Sequence, residues 1–149
     1  MVYKWNPNYH AKANAQVAGE VCESLAAINK LTAQNLVDVS KPKDAPLHDA
    51  FEWDNKVAGN EWRKHQARNL IHSLMIVQED REPIKMYFNL ERTEPEYKSI
   101  NLILENEDDY HKMMENALRE MRAFQMKYAK LQELTPVFMA IEMLEVENA

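Results

Sequence analysis

The chain has 149 residues, 46% of them hydrophobic and 28% charged, with a formal net charge of −6. That length suits one domain, or one domain with a helical appendage, and suffices to bury a core without metals or disulfides. A single cysteine, Cys22, and only two glycines, Gly19 and Gly59, exclude an intrachain disulfide, a multi-cysteine zinc site and a glycine-rich phosphate loop. Scarce glycine beside plentiful Ala, Leu, Met, Glu, Lys and Gln favours helices.

Residues 1–13 are polar with aromatic punctuation at Tyr3, Trp5 and Tyr9, and are read as an arm lying on the body. They lack the apolar stretch of a signal peptide, and no run approaches the roughly 18 apolar residues of a membrane span, so a cytosolic protein is expected. A three-helix unit is expected over 14–77. Asn14 caps a first helix that runs to about Lys30, with Val17, Val21, Cys22, Leu25 and Ile28 at helical spacing. Thr32 caps a second, Ala33 to Val39, with Leu36, Val37 and Val39 apolar. Pro42 and Pro46 then forbid helix through Ser40–Pro46. The turn Phe51-Glu52-Trp53-Asp54 delivers the chain into a third helix from Asp54 to Leu74 or Ile76. Phe51 or Trp53 serves as a staple there and Asp54 as the cap. Its apolar stripe is Ala58, Trp62, Leu70, Ile71 and Leu74. Arg63, Lys64 and Arg68 lie largely off that stripe, with His65 beside them, and either face solvent or pair with Glu52 or Asp49.

A ribbon is expected over 78–104. Ile84, Met86, Phe88 and Leu90 alternate with Lys85, Tyr87 and Asn89, and Tyr97–Ile100 returns beside them after the loop Glu91–Glu96. Glu91, Glu94 and Glu96 at its tip would repel phosphate, which argues against a wing inserted into DNA. Residues 105–149 are expected to form a helical hairpin or a dimerisation element. Asn106 caps, Glu107-Asp108-Asp109 complement the helix dipole, and Tyr110, Met114, Ala117, Met121, Phe124, Tyr128 and Leu131 recur as a heptad seam widened by Met113 and Leu118. Thr135-Pro136 restarts a helix, with Thr135 as the cap and Val137, Phe138, Ile141 and Leu144 on its apolar side. The fold class is therefore mainly α with a minor β-hairpin: a helix-turn-helix-like three-helix unit, a two-stranded ribbon, a long helix and a shorter one.

Enzyme chemistry finds little support. His48, Asp49, Glu52 and Asp54 lie close in sequence, and His65 and His72 are two turns apart, but neither set has the spacing of a metal signature. His48-Asp49 is better read as capping the turn. Ser73 and Ser99 lack an elbow-like context, and Cys22 sits on an apolar helical face where a thiol is inert. No metal, cofactor or catalytic residue is expected. Charge is uneven: residues 1–75 hold nine Lys/Arg against eight Asp/Glu, and residues 76–149 nine against sixteen. A near-neutral half with one basic helix face suits DNA, while an acidic half suits a basic protein partner.

Several segments together resemble a group of small phage and prophage proteins with a PLH…FEWD…R…QAR.LI signature. They are Leu31-Thr32-Ala33-Gln34, Pro46-Leu47-His48, Phe51-Glu52-Trp53-Asp54, Ala58, Arg63 and Gln66-Ala67-Arg68-Asn69-Leu70-Ile71. Tyr97…Ile100 and Lys127-Tyr128…Leu131…Leu134 extend the likeness over most of the chain. The resemblance implies a phage or mobile-element origin and action in a bacterial host's cytosol; it implies no catalytic residue. The leading expectation is a non-enzymatic accessory protein. It would bind double-stranded DNA, or a DNA-bound protein, through Arg63, Lys64, Arg68 and His65. It would self-associate as a homodimer through Met114, Met121, Phe124, Tyr128 and Leu131. Two alternatives stand beside it: an acidic inhibitor of a host protein such as a defence nuclease, and a structural component of the virion.

Overall fold

The computed structural model describes residues 1–7, 9–57, 59–91 and 96–149. Ala58, expected on the third helix, and Glu94, expected at the ribbon tip, lie outside the described residues. The fold is mainly α with a minor β component, and the chain divides into two units, Met1–Leu102 and Ile103–Ala149.

In the first unit the N-terminal residues do more than lie on the surface. Val2–Trp5 form β1, which pairs antiparallel with β2 (Leu74–Gln78). Alternation explains the placement: Tyr3 sits opposite Ile76 and both are buried, while Lys4 sits opposite Met75 on the other face. The free edge of β1 is occupied, because the Tyr3 amide donates to Gln16 Oε1 at 3.1 Å.

Helix α1 (Ala15–Ala27) begins where Asn14 Oδ1 accepts from the Gln16 and Val17 amides at 2.8 and 3.3 Å. It ends before Lys30 because Asn29 adopts a left-handed φ of 55°, a conformation that closes helices and that Asn tolerates. Ile28 consequently leaves the stripe and is exposed, while Cys22 is fully buried. Burial pushes the Cys22 thiol far above its ordinary pKa. Helix α2 (Ala33–Ser40) is capped by Thr32 Oγ1, which accepts from the Asn35 amide at 3.0 Å. Leu36 and Val37 face the core; Val39 turns to solvent.

Helix α3 runs from Asn60 to Ser73, not from Asp54, and its N-cap is Gly59. Asp54 instead closes a separate turn, its Oδ1 accepting from the Lys56 amide at 2.9 Å. Ala67, Leu70 and Ile71 are buried, whereas Trp62, assigned to the stripe by spacing, is half exposed. The helix stops at Ser73 and the chain becomes β2 without a loop. The apolar run Leu74-Met75-Ile76-Val77 satisfies its backbone better between two strands than as one more turn of a half-exposed helix. Strand β3 (Arg81–Lys85) returns after Glu79-Asp80, with Asp80 at φ 55°, and completes a sheet ordered β1-β2-β3.

The expected strand Ile84–Leu90 is thus split between sheets. Its first part ends β3, and Tyr87–Phe88 (β4) pair with Lys98–Ser99 (β5). The two-stranded pairing of this region with the segment near Tyr97 is present. The side-chain alternation is not the expected one, since Met86 and Tyr87 are both buried. Ile100 starts a short helix α4 (Ile100–Glu105) rather than ending a strand. The core of this unit gathers Tyr3, Cys22, Leu31, Leu36, Leu70, Ile71, Leu74 and Tyr87.

In the second unit α5 (Glu107–Tyr128) is capped by Asn106, whose Oδ1 accepts from the Asp109 amide at 3.0 Å. A 3-10 turn, Gln132–Leu134, leads into α6 (Thr135–Glu147). Its N-cap is Leu134, so Thr135 and Pro136 both lie within the first turn; the Thr135 hydroxyl donates to the Gln132 carbonyl at 2.7 Å. The two helices form a hairpin held by the Phe124–Phe138 ring contact (6.4 Å between centroids), the Arg122–Glu145 ion pair at 2.8 Å, and Gln125 donating to Glu142.

Tyr3 packs so closely over α1 that a Cβ on Gly19 would overlap its ring, while one on Gly59 would meet nothing within 4 Å. Gly19→Ala should therefore cost about 1–3 kcal/mol of stability through overpacking, and Gly59→Ala about 1 kcal/mol or less. Urea denaturation of the two variants checks this; equal costs would contradict the Tyr3–Gly19 packing.

Candidate nucleic-acid interface

The signature segment builds a support for α3. His48–Ala50 form a 3-10 turn, and the His48 Nδ1 lies 3.1 Å from the Ser40 carbonyl, where it donates across to the end of α2. The Trp53 indole N–H donates to the His48 carbonyl at 2.8 Å, and the two rings stack 5.1 Å apart at 7°. Phe51 is buried beside Trp53. Glu52 accepts from the Asp54 amide at 3.0 Å. His48, Glu52 and Asp54 are thus engaged in turn geometry. Among the described residues no group of three or more His, Cys, Asp or Glu side chains is placed to hold a metal ion.

This support takes up part of the basic face of α3. Arg63 places its guanidinium 5.6 Å from the Trp53 ring centre and donates to Asn55 Oδ1 at 3.0 Å and to the Glu52 carbonyl at 3.5 Å. Lys64 pairs with Glu61 at 2.6 Å, one turn back on the same helix. Arg63 and Lys64 thus have partners within the chain, among them the Glu52 carbonyl, Asn55 and Glu61. His65 is exposed, its Nε2 3.2 Å from Asn69 Nδ2 and its ring 5.2 Å from that of Trp62. Arg68 is exposed.

Lys64, Arg68 and His72 recur every four residues, so they share one flank of α3. That flank ends in a cluster whose members come from separate elements. The Lys85 ammonium of β3 lies 3.3 Å from His72 Nδ1, and the Tyr97 hydroxyl lies 3.1 Å from Nε2. An ammonium can only donate, so Nδ1 is the acceptor, the ring proton sits on Nε2, and Nε2–H donates to the Tyr97 oxygen. Burial, followed by the Lys85 charge, holds the His72 pKa below the ordinary histidine value. Burial raises that of Tyr97, an effect the Arg68 guanidinium partly offsets. Sequence spacing could not have assembled this cluster, because Lys85 and Tyr97 reach His72 only by tertiary contact.

The seam residues expected to self-associate fall on α5. Met114, Met121 and Tyr128 are partly buried, while Phe124 and Leu131 are more exposed. In addition α6 exposes Met139, Met143 and Val146, spaced four and three apart, a stripe that the heptad pattern of α5 did not reveal. No helix of the described residues is long and apolar enough to cross a membrane. No protein-family model, curated protein or solved structure matches the chain.

A histidine held neutral in the folded state contributes stability that is fully present above its unfolded pKa, near 6.5. That contribution is lost as pH falls through the lowered folded value. Acidification from pH 7.5 to 5 should lower the denaturation midpoint less in His72→Gln than in the unaltered chain. Parallel losses would contradict the half-screened, Lys85-facing imidazole.

Proposed function

We propose that this chain is a non-enzymatic accessory protein of the phage or prophage type, acting in the bacterial host cytosol. It binds double-stranded DNA, or a protein already on DNA, through α3, and pairs with a second copy through α5 and α6. The observation that carries this reading is the exposed Arg68 on the flank of α3 that also bears Lys64, with the Lys85 ammonium of β3 at the end of that flank, 3.3 Å from His72. Rows of cationic and donor side chains along one helix suit a phosphate backbone. Three helices with the last presented outward is also the arrangement by which helix-turn-helix modules reach the major groove.

Arg68 is the centre of this reading, with His65 beside it on the crest of the helix. Arg63 and Lys64 contribute less, because their donors already serve Asn55, Glu52 and Glu61. The hairpin following α3 carries Glu79 and Asp80 at its tip, so contact is made at its Lys85 end.

A second reading, an acidic inhibitor docking onto a host protein, draws on the second unit. Residues 103–149 hold five Lys/Arg against ten Asp/Glu, and α6 exposes Met139, Met143 and Val146. Sedimentation separates the two: a dimer accords with two-fold DNA binding, a monomer with the inhibitor.

A gel shift with random-sequence duplex at low salt tests the proposal. The chain should shift the duplex, and Arg68→Ala should weaken binding at every salt concentration, reducing the slope of log affinity against log salt by about 1. Absence of a shift at 50 mM salt, or an Arg68→Ala variant that binds as well as the parent, would overturn it.

A further inference from the structure

The opposite flank of α3 borders a cleft of about 320 Å³, within the size range of small-ligand sites. Trp62, Gln66 and Asn69, spaced four and three apart, form one wall. Tyr9 and Lys12 of the N-terminal segment line it from another side, and Glu52 of the signature turn from a third. We propose that this cleft receives a single unstacked nucleobase, with Trp62 as the stacking platform, the Gln66 and Asn69 amides reading the base edge, and Lys12 meeting the attached phosphate.

The chemistry favours a base over other occupants. Trp62 is 52% exposed, although it lies on a helix whose Leu70 and Ile71 are almost fully buried. Its ring meets that of His65 at 5.2 Å between centroids, and the rest of it stands open at the lip of the cleft, where a base can stack. Gln66 Oε1 accepts from the Glu52 amide at 3.5 Å and Asn69 Nδ2 lies 3.2 Å from His65 Nε2, so the Gln66 N–H donors and the Asn69 Oδ1 acceptor face the base edge. Stacking on an aromatic ring is the sequence-tolerant part of single-strand binding. The cationic flank with Arg68 lies on the same helix, so a strand could run its phosphates along one side of α3 while one base turns into the other. An arginine side chain from a peptide would also meet Trp62 and Glu52, but would face Lys12 as a like charge.

This inference rests on the nucleic-acid reading only for the source of the base, which could equally be a free nucleotide. Fluorescence anisotropy of labelled oligo(dA) and oligo(dT), with competition by mononucleotides, distinguishes the two sources. Trp62→Ala should weaken oligonucleotide binding roughly 5- to 150-fold, the usual loss for one stacked base. Asn69→Ala should alter the preference between dA and dT, a readout that a merely structural role would not move. Trp62→Ala should leave duplex binding through Arg68 within about twofold. Competition by mononucleotides at micromolar levels would identify the free nucleotide as the source. Two results would overturn the proposal: no binding of either oligonucleotide or mononucleotide by a chain that shifts duplex, or binding unchanged in a folded Trp62→Ala variant. Capture of an arginine-rich peptide at this cleft, displaced by no nucleotide, would overturn it as well.

Discussion

The hydrogen bond from the Trp53 indole to the His48 carbonyl, with the two rings stacked over it, is the constraint on which the placement of α3 depends. Nineteen residues separate α2 from α3, and among the described ones the 3-10 turn His48–Ala50 is the single helical element. Such a stretch has many backbone groups to satisfy and much conformational entropy to lose. One rigid aromatic with a directed donor reduces both problems. His48 reaches back to Ser40 at the end of α2, and Trp53 reaches forward to Arg63 on α3, so three points of the chain are fixed around one ring. Asn60 donating to Gln34 at 3.0 Å adds a direct tie between the start of α3 and α2.

With α3 held this way, its surface divides by spacing. The core side takes Ala67, Leu70 and Ile71. The N-terminal basic residues are engaged by the support and by Glu61. What faces outward is one flank of cations and another of amides and an indole, with His65 between them. A single helix fixed at its N-terminal end by Arg63 and at its C-terminal end by the β2 strand presents both flanks rigidly, as a preorganised site requires.

Much of the fold was legible, and the failures are instructive. The caps Asn14, Thr32 and Asn106 were readable because a side-chain oxygen before an apolar-periodic run is a local signal, decided within four residues. The hairpin of α5 and α6 was readable for the same reason of periodicity. Asp54 misled because a good capping residue also makes a good turn residue, and only the later Gly59 distinguishes the two uses. β2 was missed because Leu74-Met75-Ile76-Val77 continues the apolar content of α3 without a break, and its strand identity comes from β1, seventy residues earlier. Trp62 fits the apolar stripe by spacing alone, yet the helix is rotated so that it lines a cleft. Of the candidate site, Arg68 and His65 could be picked out from the sequence as residues of α3; the neighbourhood of Lys85, Tyr97, Lys12 and Tyr9 could not, since only tertiary contact brings them to α3.

The central claim is a division of roles within α3, with Arg63 supporting the fold and Arg68 contacting the ligand. The most direct measurement takes thermal stability and duplex affinity together for Arg63→Ala and Arg68→Ala. The account predicts that Arg63→Ala loses about 1 kcal/mol of stability, from its cation–π and hydrogen-bond partners, with affinity nearly intact below the melting range. It predicts the reverse for Arg68→Ala: stability unchanged and affinity reduced. If instead Arg63→Ala abolishes binding in a fully stable protein while Arg68→Ala binds normally, the assignment of the two residues is wrong.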